Sequence, residues 1–139
     1  MVIANEAPRV GQKYVEAVRA RFGGALLEEA WQAPDQVTLT VALNSLPDVV
    51  AMLYYEQGGW LASVAVNDER PLTGMFAIYY ILSVEGNSDP VANDKAYVVV
   101  RAEIAPHRPE FPAVTPRVPA AIWYEREARD MFGLQPVGL

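Results

Sequence analysis

Apolar positions along the chain change period several times, and each change marks an element. Between Gln12 and Phe22, the residues Tyr14, Val15, Val18 and Phe22 recur at helical spacing, and Gly23-Gly24 follow where a helix C-cap belongs. The pattern predicts a helix over 12–22. Ala25 to Trp31 reads as a strand, closed by a turn at Pro34-Asp35. Val37, Leu39, Val41 and Leu43 then alternate with Thr38, Thr40 and Ala42, a period of two that predicts a strand with one buried face. Ser45 and Asp48 have the spacing of a capping box, with Pro47 in the first turn. The helix they open carries Leu46, Val49, Val50, Leu53 and Tyr54 and stops at Gly58-Gly59.

A strand follows from Trp60 to Val66, and a turn-rich stretch runs from Asn67 to Gly74. Met75 to Val84 is apolar at almost every position, which predicts a central strand covered on both faces. Glu85 to Asp94 reads as a loop. Lys95 to Ile104 is the next strand, with Val98 and Val100 on one face and Tyr97 and Val99 on the other. The middle of the chain is therefore a meander whose hairpin tip is the 85–94 loop. Five of the 11 prolines fall between Pro106 and Pro119. That segment (105–119) can be neither helix nor inner strand, and an extended path over the surface is the reading. A last helix occupies 120–133, with Ala121, Tyr124, Ala128, Met131 and Phe132 on one face and Trp123, Glu127 and Asp130 beside it. The order predicts one α+β domain over 1–139, in two layers, with helices packed on one mixed, mostly antiparallel sheet.

Charge and composition narrow the function classes. With 11 basic and 17 acidic residues the net charge is −6, and no basic stripe is present, which argues against nucleic acid or anionic lipid as a partner. The absence of cysteine excludes disulfides, cysteine-ligated clusters or zinc, and a cysteine nucleophile, and it fits a cytosolic protein. Met1 to Arg9 lacks the apolar core of a signal peptide, and the run from Met75 to Val84 is too short to span a membrane as a helix. No direct membrane insertion is expected.

Few residues offer chemistry. Gly23-Gly24 and Gly58-Gly59 lack the pattern of phosphate loops and sit where helices end. His107, the only histidine, has Glu110 as the nearest acid after it and no grouped metal ligands, so a solvated loop residue is the reading. Within the last helix, Glu125 and Arg129 are four apart, as are Arg126 and Asp130. Spacing alone ranks solvent-exposed ion pairs first, a partner-binding face second, and catalysis by Glu127 and Asp130 third.

The run Trp123-Tyr-Glu-Arg-Glu-Ala-Arg-Asp-Met-Phe-Gly133 resembles the signature W-[YF]-E-R-E-x-x-D-[ML]-F-G of the thirty-kilodalton (C) subunit of respiratory complex I, at all nine specified positions of 11. Hydrogenases of the formate hydrogenlyase type carry a similar domain at the start of their large subunit. The apolar strand Phe76–Ser83, the long loop, the second strand and the Pro-rich stretch come in the family's order, so the resemblance covers about residues 50–139. Gln135-Pro-Val-Gly-Leu139 looks closer to the hydrogenase branch. Family members usually continue beyond this point, and the chain is read either as lacking that tail or as a truncated or separately encoded form.

The resemblance implies a peripheral-arm subunit that is not an enzyme on its own. It implies no flavin, cluster or nickel, and partners in a catalytic large subunit (forty-nine-kilodalton D-type or hydrogenase) and iron–sulfur subunits. The location it implies is the cytoplasmic face of the membrane, reached through those partners. Carried over by motif, Trp123, Tyr124, Glu125, Arg126, Glu127, Asp130, Phe132 and Gly133 are the site residues, the aromatics as anchors and the charges as hydrogen-bonding groups within the assembly. Two alternatives remain: a small acid/base enzyme built on Glu127 and Asp130, with or without His107, and a protein-binding module that has left the redox complex.

Overall fold

Tyr14, Val15 and Val18 turn one face of helix α1 (Gln12–Phe22) into the core, and the bounds are those the period predicts. The computed structural model describes residues 9–86 and 94–139; the expected hairpin tip and the chain start lie largely outside the described residues. A short 3-10 turn leads from α1 into β1 (Leu26–Ala33), which returns through a turn into β2 (Gln36–Val41). Helix α2 (Leu46–Glu56) follows, then β3 (Gly59–Asp68), a single helical turn α3 (Arg70–Thr73), β4 (Phe76–Val84) and β5 (Ala96–Ile104). The sheet order is β1-β2-β5-β4-β3; β2 runs parallel to β5 and every other pair is antiparallel. This is the mixed, mostly antiparallel sheet of an α+β fold, and β3-β4-β5 form the expected meander.

The strand period decides which face is buried. Val37, Leu39, Val41, Ile78, Tyr80, Leu82, Val98 and Val100 point to the helices and are inaccessible to solvent. Leu46, Val49, Val50 and Leu53 of α2 meet them from the other layer. On the opposite face, Tyr79, Ile81 and Val99 are only half-buried and no helix covers them among the described residues. The expectation that β4 is covered on both faces is therefore corrected: on its outward face Ala77 is buried, but Tyr79 and Ile81 stay half-exposed with no described helix over them. Ser45 does not cap α2 either. A 3-10 turn at Leu43–Ser45 gives Ser45 helical dihedrals, its side chain makes no cap hydrogen bond, and Asp48 instead pairs with Arg117.

Gly59 shows how tightly α2 meets β3. A Cβ there would lie 2.6 Å from the Leu53 carbonyl oxygen. Gly59→Ala is expected to destabilise the chain by about 1–3 kcal/mol, because backbone must move to admit the methyl; a chemical-denaturation midpoint measures it.

The open face carries one polar cluster. Arg101 donates to Glu69 at 2.6 Å, to Glu103 at 3.1 Å, to Thr40 at 3.2 Å and to the Tyr79 oxygen at 3.2 Å, and the Tyr79 hydroxyl donates to Glu69. Burial opposes ionisation of Glu69, but hydrogen bonds from Tyr79, Arg101 and Asn67, with the Arg101 charge, outweigh it and hold its pKa below 4.5. A lowered folded pKa makes this contribution present above the unfolded value and lost as pH falls through the folded one. Glu69→Gln should therefore flatten the loss of stability on acidification below about pH 4.5, read as denaturation midpoints across that range.

After β5 the chain enters the Pro-rich segment, which lies only partly on the surface: residues 106–109, 116 and 117 are exposed. Phe111, Val114 and Val118 are buried in the main core. Glu110–Pro112 form β6, which pairs in parallel with β7 (Gln135–Val137), and the Val114 carbonyl accepts from the Arg117 and Val118 amides in a compact turn. Apolar side chains spaced between the prolines pull the segment inward. Between β6 and β7 runs helix α4 (Ile122–Phe132).

Candidate functional site

Helix α4 is the element on which the motif residues sit. A 3-10 turn at Pro119–Ala121 leads into it, and Gly133 ends it at φ +70°, a left-handed conformation costly for residues with a Cβ. The Gly133 amide donates to the Arg129 carbonyl at 2.9 Å, and Leu134 enters the core directly after it. Ala121, Glu125 and Ala128 face inward and are buried. The expected apolar face is thus rotated: Met131 is 68% exposed and Phe132 is partly exposed.

Glu125 is fully buried and gathers four donors. One carboxyl oxygen accepts from the Tyr80 hydroxyl at 2.5 Å and the Val114 amide at 2.8 Å. The other accepts from the Thr115 hydroxyl at 2.5 Å and the Thr115 amide at 3.1 Å. It lies in the first turn of α4, where the helix dipole favours an acidic group. Burial, and then the Glu125 charge and hydrogen bond, push the Tyr80 hydroxyl pKa well above 10. The site residue Glu125 therefore ties α4, β4 and the Pro-rich segment together. The expected surface pair of Glu125 with Arg129 does not form, because that carboxyl points into the core.

The other motif residues divide by face. Trp123 is 73% exposed, and the Arg126 guanidinium lies 5.4 Å from its ring centroid. Arg129 contacts its neighbour Asp130 at 3.4 Å, and no ion pair joins Arg126 to Asp130 among the described residues. Phe132 packs edge-on against Phe76 with centroids 6.5 Å apart. Tyr124 is half-buried beside β3, and Glu127 is exposed. Trp123, Arg126, Glu127, Arg129, Asp130 and Met131 line one open depression of about 620 Å³. His107 lines a separate depression with Arg108, Glu110 and Phe111. His107 is thus kept apart from Glu127 and Asp130, which share the open depression on α4. No group of three or more metal-ligating side chains occurs among the described residues.

Residues 39–139 match the model of the family described as respiratory-chain NADH dehydrogenase, 30 Kd subunit. The chain belongs to this family. It is 52% identical over 131 residues to formate hydrogenlyase subunit 5 of Escherichia coli (strain K12), covering 94% of this chain and 22% of that protein. With hydrogenase-4 component G of the same strain it shares 50% identity over 135 residues, 97% of this chain and 23% of that protein. The NADH-quinone oxidoreductase C/D protein of Methylococcus capsulatus is 28% identical over 132 residues, covering 87% of this chain and 21% of that protein. The chain thus spans less than a quarter of the length of these relatives. Among solved structures, the trypsin-resistant fragment of Nqo5 superposes with a TM-score of 0.70 at 21% identity, covering 93% of this chain and 96% of that one. A chain of the membrane-bound sulfane sulfur reductase, an archaeal respiratory membrane complex, gives 0.71 at 18% identity, covering 92% and 71%. Both show the fold of this 30 Kd-subunit domain.

Outside the motif, the residues missed from the sequence are the ones that hold Glu125: Tyr80, Val114 and Thr115. One signal was available. Glu125 shares the Ala121 and Ala128 face at spacings of four and three, and those small residues mark the side of closest packing.

Proposed function

We propose that this chain is a non-catalytic, peripheral-arm subunit or domain of a membrane-bound redox assembly of the formate hydrogenlyase type. It holds the catalytic large subunit of that assembly through the outer face of α4. The observation that carries the reading is the unburied motif face: Trp123, Arg126, Glu127 and Asp130 have no packing role within the domain that accounts for them, and Trp and Arg are the residues that most often anchor interfaces. The much higher identity to two hydrogenase-complex proteins than to the C/D protein favours the hydrogenase branch over the respiratory one. In this reading residues 1–139 act as one unit, the redox centres belong to the partner subunits, and iron–sulfur subunits complete the arm. No helix among the described residues is long and apolar enough to cross a membrane. In the same reading, attachment to the cytoplasmic face runs through the partners.

Arg126→Ala tests it. The side chain contacts Trp123 and makes no ion pair among the described residues, so folding should change by no more than about 0.5 kcal/mol. Incorporation into the assembly, quantified by co-purification of the large subunit, should fall at least about tenfold. Wild-type incorporation of a folded variant contradicts the reading.

A further inference from the structure

Strand β3 is an edge strand with little of the usual protection. From Gly59 to Asn67 it carries neither charge nor proline, and only β4 pairs with it among the described residues. The other edge strand, β1, differs: it carries Glu28 and Glu29 and two register irregularities. The single irregularity of β3 lies between Leu61 and Ser63, so its second half, Ser63 to Asp68, runs in regular register along β4. Beside that regular half lies a groove of about 260 Å³ between Val64-Ala65-Val66 and helix α4. The helical wall is Tyr124, Glu127, Ala128 and Met131, at spacings of three, four and seven residues from Tyr124. Met131 is largely exposed there, and Glu127 has no ion-pair partner among the described residues.

Each side of the groove selects a different property of its occupant. An open strand edge presents backbone N–H and C=O groups that another extended chain satisfies, whereas a helix has its own backbone already paired. The wall formed by Tyr124, Ala128 and Met131 takes apolar side chains at alternate positions of such a strand. Glu127, the one charged residue in the lining, calls for a basic residue opposite it. We propose that β3 and α4 form a strand-accepting groove, which takes an extended, proline-free segment of the partner polypeptide with alternating apolar side chains and a Lys or Arg facing Glu127. The inference deepens the assembly reading and rests on it.

Hydrogen exchange separates the two. The rates of β3 amides are compared in the isolated chain and in the assembly purified with it. Alternate amides from Ser63 to Asn67, those pointing away from β4, should exchange at least about a hundredfold more slowly in the assembly. Glu127→Lys should raise those rates at least about tenfold within the assembly and leave the β4 and β5 amides unchanged. Equal β3 rates in both samples overturn the groove and leave the assembly reading standing. Recovery of the chain without partners overturns both. Protection in the isolated chain that grows with its own concentration means that a second copy pairs with β3, which also overturns the proposal.

Discussion

Glu125→Ala is expected to remove about 4 kcal/mol of stability, a large share of the 5–15 kcal/mol typical of a domain. The change strands four donors at once: the Tyr80 and Thr115 hydroxyls and the Val114 and Thr115 amides. Each buried unpaired group costs about 1–3 kcal/mol, and partial collapse or water entry offsets some of the sum. Glu125→Gln keeps the shape but turns an amide NH2 towards groups that donate, so its cost should be smaller, about 1–3 kcal/mol. Urea midpoints of the two variants against the parent check the order. A Glu125→Ala loss below about 1 kcal/mol means that the carboxyl group does not tie the Pro-rich segment to the core. Because this residue works inside the domain, weakened assembly of either variant says nothing about an interface.

Trp123→Ala is expected to do the opposite. Folding should shift by no more than about 0.5 kcal/mol, because the indole is mostly exposed and its ring contact is with Arg126. Affinity for the large subunit should fall by at least about 2 kcal/mol, roughly thirtyfold, as for a buried interfacial tryptophan. Titration of the isolated large subunit with parent and variant chains measures the ratio. Unchanged affinity means that the exposed indole is not an anchor, and the outer face of α4 then loses its main support as the docking surface.

Much of the architecture was legible because it rests on local pattern. The bounds of α1 follow from its helical period and the glycines after Phe22, and the alternation through Val98 and Val100 places the buried face of β5. The meander was legible from strand lengths and turn residues alone. What escaped depends on neighbours remote in sequence. The spacing of Glu125 and Arg129 fits a surface pair on an isolated helix; only the arrival of Val114 and Thr115 over the first turn makes Glu125 an inward residue. Prolines correctly excluded regular structure from most of 106–119, but burial there was set by Phe111, Val114 and Val118 between them. The cover on β4 was overread for a related reason. Ile81 and Tyr79 are apolar enough for a second layer, yet the described helices that pack on the sheet lie on the other face.

The motif itself was legible as a family signature, while the division of labour within it was not. Its eleven residues hold one inward carboxyl, a left-handed cap and an outward cluster, and a linear pattern assigns them all the same weight. The structure separates Glu125 and Gly133, which shape the domain, from Trp123, Arg126, Glu127 and Asp130, which face outward.

On the proposed reading this chain works as a scaffold within a larger redox assembly. Affinity purification of the chain from detergent-solubilised membranes of its own cell, with mass spectrometry of what accompanies it, tests that claim directly. A hydrogenase-type catalytic large subunit and iron–sulfur subunits are expected in stoichiometric amounts. Recovery of the chain alone, or with partners unrelated to a redox complex, would contradict it.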